Sequence, residues 1–135
     1  MVACPELDQY CGDEVEAYEG HKLTIRAVKL FLDGALGSWG AAMLAPYTDN
    51  PSEQGITRMS LETMYDLASK WSAKGFQVNT HGIGDAANRI AIDVYERLLR
   101  EQGEKDNSRL RYRIEHAQIL VSFPFLEVPL SCNNI

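Results

Sequence analysis

No stretch of this chain approaches the roughly 20 consecutive apolar residues that a helix needs to cross a bilayer, so no membrane span is expected. Basic residues are in short supply as well. Thirteen lysines and arginines face 19 acids, for a net charge of −6, and nucleic-acid phosphates need a basic face that this balance does not provide. Arg109, Arg111 and Arg113 alternate with Leu110, Tyr112 and Ile114, which reads as one face of a strand rather than a basic patch. Cysteine is scarce: Cys4, Cys11 and Cys132 are odd in number and show no C-x₂-C spacing, which argues against a zinc knuckle or a dithiol motif. They are expected to be inert thiols in a reduced, cytoplasmic setting. Met1 to Gly20 has neither the basic start nor the apolar stretch of a secretory signal. Repeats and low-complexity tracts are missing too.

What is there is an ordinary folding composition. Hydrophobic residues make up 45% and charged residues 24% of 135 positions, which excludes disorder for most of the chain and suits one domain. Residues 1–22, with Asp8, Asp13, Glu14, Glu16 and Glu19, read as an acidic surface segment. Leu23 to Asp33, LTIRAVKLFLD, is rich in strand formers. Gly34, Gly37 and Gly40 break it, and a long loop with Pro46, Asp49, Asn50, Pro51 and Gly55 follows; a loop of that length is a lid, a binding loop or disordered. Ser60 is placed to cap a helix whose apolar stripe is Leu61, Met64, Tyr65, Ala68 and Trp71, with Lys70 and Lys74 in its last turn and Gly75 as its stop. FQVNTH then alternates, with Gln77, Asn79 and His81 on one face. Asp85 is placed to cap a second helix with the stripe Ala87, Ile90, Ala91, Val94 and Leu98, ending near Gly103. A third strand runs from Leu110 to Glu115 or His116. The order β, loop, α, β, α, β predicts an α/β fold with three parallel strands and right-handed crossovers from about Thr24 to His116.

Function in parallel α/β folds gathers at the carboxyl ends of the strands. His81 and His116 each fall at such an end, and Lys29 shares a strand face with Phe31 and Asp33. All three are expected to point toward one rim. Neutral imidazole is the commonest zinc ligand, and a carboxylate behind it often fixes the tautomer; Asp85 and Glu115 are candidates for that supporting role. Other readings stand beside these. Either histidine could be a hydrogen-bonded structural residue, Lys29 could snorkel or pair with Asp33, and His21 reads as solvent-exposed. GIGD at Gly82–Asp85 could cradle a phosphate at a helix N-terminus, although it lacks the full dinucleotide fingerprint.

Three segments narrow the choice. VKLFLDGALGS at Val28–Ser38, THGIGDAAN at Thr80–Asn88 and RIEHAQ at Arg113–Gln118 resemble, in order and spacing, successive motifs of the amidohydrolase superfamily. The likeness spans about residues 24–120 and is greatest to the family 3 branch that contains N-substituted formamide deformylase. The resemblance implies a partial (β/α)₈ TIM barrel over 23–120, whose three strands correspond to barrel strands 4–6, with one or two divalent ions, usually zinc. It implies that Lys29 is the lysine that can be carboxylated to bridge two metals, and that His81 and His116 are metal ligands. A lysine amine titrates near 10.4 in water, so a dry site is needed for the neutral form that takes up CO₂. The metals would acidify a water and polarise the scissile carbonyl of a small-molecule amide or N-substituted formamide. The loop after Asp33, with Trp39 and Tyr47, would shape the substrate pocket.

The sequence also departs from that family. The H-x-H pair expected on the first barrel strand and the aspartate expected on the eighth do not occur in legible form. Pro124 and Pro129 interrupt an atypical tail, 121–135, where a helix would be expected. The chain alone is therefore expected to show no appreciable hydrolase activity and marginal stability. A catalytically inactive fragment with partial metal binding, or a small phosphate-ligand-binding α/β domain, are the competing readings. Oligomeric state and substrate identity are not legible.

Overall fold

In the computed structural model, residues 4, 6 and 8–121 are described; the expected tail thus lies, except for Val121, outside the described residues. Strand β1 (Tyr18–Glu19) and strand β2 (Thr24–Ile25) form a short antiparallel hairpin. Strand β3 (Ala27–Phe31) pairs in parallel with β4 (Gln77–Gly82), and β4 pairs in parallel with β5 (Arg113–His116). Helix α1 (Leu61–Ala73) connects β3 to β4, and helix α2 (Asp85–Glu101) connects β4 to β5. The three-stranded parallel core expected from the element order is present. The first strand is not continuous as expected: Thr24 and Ile25 bond to the hairpin, and the chain joins the parallel sheet only from Ala27.

Alternation decides what each face holds. Val28 and Leu30 of β3 and Val78 and Thr80 of β4 are buried beneath the helices, whereas Lys29, Phe31, Asn79 and His81 occupy the opposite face. Met64, Leu67, Ala68 and Trp71 of α1 and Ala87, Ala91, Val94 and Leu98 of α2 complete one apolar cluster with the strands. Each large side chain there is worth roughly 1.5–3 kcal/mol of burial. The helix signals in the sequence do what their chemistry suggests. Ser60 Oγ accepts from the Thr63 N–H at 3.1 Å, and Gly75 (φ +79°) takes the left-handed turn that ends α1.

Two expectations need correction. Cys4 and Cys11 are not inert thiols: they form a disulfide, with their Cα atoms 5.6 Å apart, inside the range a bridge requires. Asp85 is not the cap of α2. Gly84 occupies that position, and Asp85 is the first helical residue.

The residues in and just after the disulfide loop do not hang free. Tyr10 packs edge-on against Trp71, ring centroids 5.1 Å apart. The Lys74 ammonium donates to the carbonyls of Gly12, Asp13 (3.1 Å) and Val15 (3.0 Å), drawing this segment onto the end of α1.

Candidate metal centre and its rim

The site is organised by Asp33, which the sequence marked as the end of the first strand and a possible partner of Lys29. Asp33 follows β3 and is 1% exposed. Its Oδ2 accepts from the backbone N–H groups of Ala42 (3.0 Å) and Gly84 (2.8 Å), and its Oδ1 from that of Ile83 (3.1 Å). A buried carboxylate is costly unless hydrogen-bonded, and here three backbone donors from two distant segments meet that need. The result ties the end of β3, the long loop and the entrance of α2 together. The loop is therefore neither disordered nor loose. Met43 N–H bonds to the Gln54 carbonyl and Tyr47 N–H to the Glu53 carbonyl, both at 2.9 Å. The loop also fastens directly to the helix, because Ala86 N–H donates to the Ala42 carbonyl at 3.1 Å.

This arrangement removes the phosphate-cradle reading of GIGD. The donors of Ile83, Gly84 and Ala86 are spent on Asp33 and Ala42, and a carboxylate already occupies the place a phosphate would take.

His81, Lys29 and His116 come to one rim. The His81 and His116 rings lie edge to face, centroids 4.5 Å apart. Alternation explains His81 but not His116. The register sets His116 opposite Gly82, and a side chain at Gly82 would point toward Asn88 and Ile114 on the helix side. His116 escapes that direction because its backbone adopts φ +77°, followed by Ala117 at φ +46°. Such a conformation is uncommon outside glycine and costs of order 1–3 kcal/mol. Lys29 Nζ sits 5.7 Å from the centre of the Phe31 ring. Burial lowers its pKa, opposed by Glu115 and reinforced by Arg113.

His81 is the chemically distinctive member. Asp33 Oδ1 is 3.3 Å from its Nε2, within ion-pair reach but off a hydrogen-bonding direction. Nε2 is thus buried without a hydrogen-bond partner among the described residues. Burial holds the His81 pKa below its usual value, with the Gly34 carbonyl and Asp33 pulling the other way and His116 and Lys29 adding to the depression. A neutral imidazole with an unspent ring nitrogen beside a second imidazole is a donor pair that fits a divalent cation. Among the described residues, no three His, Cys, Asp or Glu side chains gather in one metal-competent group, so the pair and Lys29 are what this rim offers.

The remaining expected site residues lie elsewhere. The Asp85 carboxylate accepts from Leu44 N–H (2.7 Å) and Ala86 N–H (2.9 Å), behind the rim rather than against a histidine. Glu115 stands in register with His81 but pairs with Arg113 at 2.5 Å. Tyr47 is buried and donates to the Ala41 carbonyl at 2.8 Å. Trp39 is exposed and donates to Asp49 Oδ2 at 3.2 Å. Neither ring lines the open cleft of about 380 Å³ beside His81, which is bounded by Phe31, Asp33, Gly34, Ala35, Arg58 and His81. Sequence reasoning passed over Arg58, a lone cation in a loop with no pattern around it. It also gave no role to Asn79, which is buried on the His81 face with its Oδ1 unpartnered among the described residues.

The described residues thus form a parallel α/β sheet whose carboxyl rim carries two clustered histidines and a partly buried lysine. Residues 11–128 match the amidohydrolase family, and the chain belongs to that family. It is 39% identical over 98 residues to Protein LONG AFTER FAR-RED 3 of Arabidopsis thaliana, covering 73% of this chain and 16% of that protein. It is 34% identical over 108 residues to the putative amidohydrolase YtcJ of Bacillus subtilis, covering 80% and 19% respectively. The crystal structure of an uncharacterized metal-dependent hydrolase from Pyrococcus horikoshii superposes with a TM-score of 0.67 at 36% identity, over 79% of this chain and 20% of that one. The chain thus spans about a fifth or less of the length of these relatives.

Proposed function

We propose that this chain supplies part of the metal-binding rim of a metal-dependent hydrolase acting on non-peptide carbon–nitrogen bonds, of the amide or N-substituted formamide kind. Its three parallel strands would be consecutive strands, the fourth to sixth, of a (β/α)₈ barrel. The observation that carries the reading is the buried Nε2 of His81, without a hydrogen-bond partner among the described residues, in a ring whose centroid lies 4.5 Å from that of His116. His81 and His116 would hold a divalent ion, zinc being the usual choice for such ligands. Lys29, its ammonium disfavoured by burial, would complete the set in the neutral or carboxylated form. An ion held there would supply Lewis acidity toward a carbonyl and a bound water. The chain's own contribution is placement: Asp33 fixes the turn after His81, the left-handed backbone at His116 aims the second ring, and the pinned loop walls one side.

Zinc titration of the purified chain, followed by calorimetry and by metal analysis after dialysis, tests the ligand assignment. Each of His81→Ala and His116→Ala should weaken zinc binding by at least about tenfold, the lower end of what even supporting residues cost at such sites. Unchanged zinc stoichiometry and affinity in both variants would overturn it. A panel of N-formyl and N-acyl amines, assayed with zinc, should show no appreciable turnover by this chain alone; turnover abolished by His81→Ala would show instead that it assembles a working site.

A further inference from the structure

The cleft beside His81 has a second polar wall, formed by Arg58. The Arg58 backbone N–H donates to the Leu32 carbonyl at 2.7 Å and its Nε to the Asp33 carbonyl at 3.1 Å. The guanidinium is therefore fastened to the end of β3 through its inner nitrogen, and its two terminal nitrogens make no hydrogen bond among the described residues. Among the described residues Arg58 enters no ion pair, whereas Arg97, Arg100 and Arg113 each meet a glutamate at 3.3 Å or less. The one carboxylate bounding the same cleft cannot serve it, since Asp33 is buried and both its oxygens accept backbone N–H groups. Glu115, the acid that acts on Lys29, is turned to Arg113. In a chain of net charge −6, Arg58 is thus the one lysine or arginine among the residues that bound this cleft. Its remaining wall is apolar: the Phe31 ring lies 5.6 Å from the His81 ring, centroid to centroid.

A guanidinium held by its Nε presents a planar fork that matches a carboxylate with two parallel hydrogen bonds. We propose that the cleft selects amides that carry a carboxylate, with the terminal nitrogens of Arg58 binding that group and Phe31 covering the apolar part next to it. An acylated or formylated amino acid is the simplest member of the class. The word amide rests on the function proposed above; the carboxylate site does not, because it needs no metal.

The test is therefore run without metal. The chain, with chelator present, is titrated with N-formylleucine and with its neutral counterpart N-formylleucinamide, and binding is followed by amide chemical shifts around Asp33 and Arg58. The acid should bind at least about tenfold more tightly, the factor that one charge-assisted hydrogen bond supplies. Arg58→Gln should abolish the preference and Arg58→Lys should keep part of it, while the amide spectrum of either variant reports whether the loop has stayed folded. Equal affinity for acid and amide in the unaltered chain would overturn the proposal without recourse to any variant. So would a preference that survives Arg58→Gln, or inorganic phosphate competing as strongly as the acid. Failure of zinc binding would count against the ligand assignment alone and would leave this readout unchanged.

Discussion

Replacing Asp33 with alanine should destabilise this protein more than any other single polar change in the sheet–loop–helix junction. The carboxylate accepts N–H groups from Ala42, Ile83 and Gly84, all of them buried residues. Removing it leaves three donors with neither water nor acceptor, at about 1–3 kcal/mol for each unsatisfied group. Relaxation and water entry will recover part of that, so a loss of about 3–5 kcal/mol is expected, a large share of the 5–15 kcal/mol that holds a typical domain. Asp33→Asn is the informative companion. Its remaining oxygen can keep the donors now on Oδ2, Ala42, Gly84 and the longer 3.3 Å bond from Ile83, while its amide nitrogen displaces the shorter Ile83 bond to Oδ1. About 1–3 kcal/mol is then expected. Urea unfolding followed by tryptophan fluorescence gives both values, provided the slope of the transition is unchanged. A cost below about 1 kcal/mol for Asp33→Ala would refute the view that this carboxylate holds the junction together.

Two further changes probe the same packing. Gly84→Ala should cost about 2–3 kcal/mol, because the added Cβ would overlap the Ala42 carbonyl, a backbone atom that cannot rotate away; a midpoint of unfolding equal to that of the unaltered protein would show that the loop yields. Tyr95→Phe should cost about 1 kcal/mol by orphaning the Thr80 hydroxyl, 2.6 Å from the phenol oxygen in the core. Adding Thr80→Val should restore part of that loss, and strict additivity of the two changes would sink the pairing.

The elements were legible because they rest on local chemistry. Ser60 before the stripe of Leu61, Met64 and Trp71, and Gly75 after it, bound α1 whatever the rest of the chain does. The alternation in FQVNTH similarly sets His81 opposite the helix-facing Val78 and Thr80. What escaped depends on residues far apart in sequence. Nothing near Asp33 announces that its partners are Ile83 and Gly84, since an aspartate before a glycine reads equally well as a turn. The Cys4–Cys11 pairing was hidden by an odd count that suggested no framework. His116 arrives at the rim through a backbone reversal rather than through alternation, and no histidine-containing pattern encodes a positive φ. The long loop looked like a lid because its length was visible and its anchors were not.

Those anchors bear on how a ligand would experience the rim. A flexible lid must be ordered at the moment of binding, and each immobilised side chain or segment then subtracts from affinity. Here the wall from Gly34 to Met59 is set during folding, joined to α2 by the Ala42–Ala86 bond and to β3 through Asp33. Its shape exists before any ligand arrives. Amide hydrogen exchange at Ala42, Met43 and Tyr47 belongs with that of the α2 entrance rather than with loop fraying, and occupancy of the cleft has little left to slow. Selectivity at such a rim comes from fit to a fixed outline, with arrival and departure governed by diffusion and contact strength rather than by a gate.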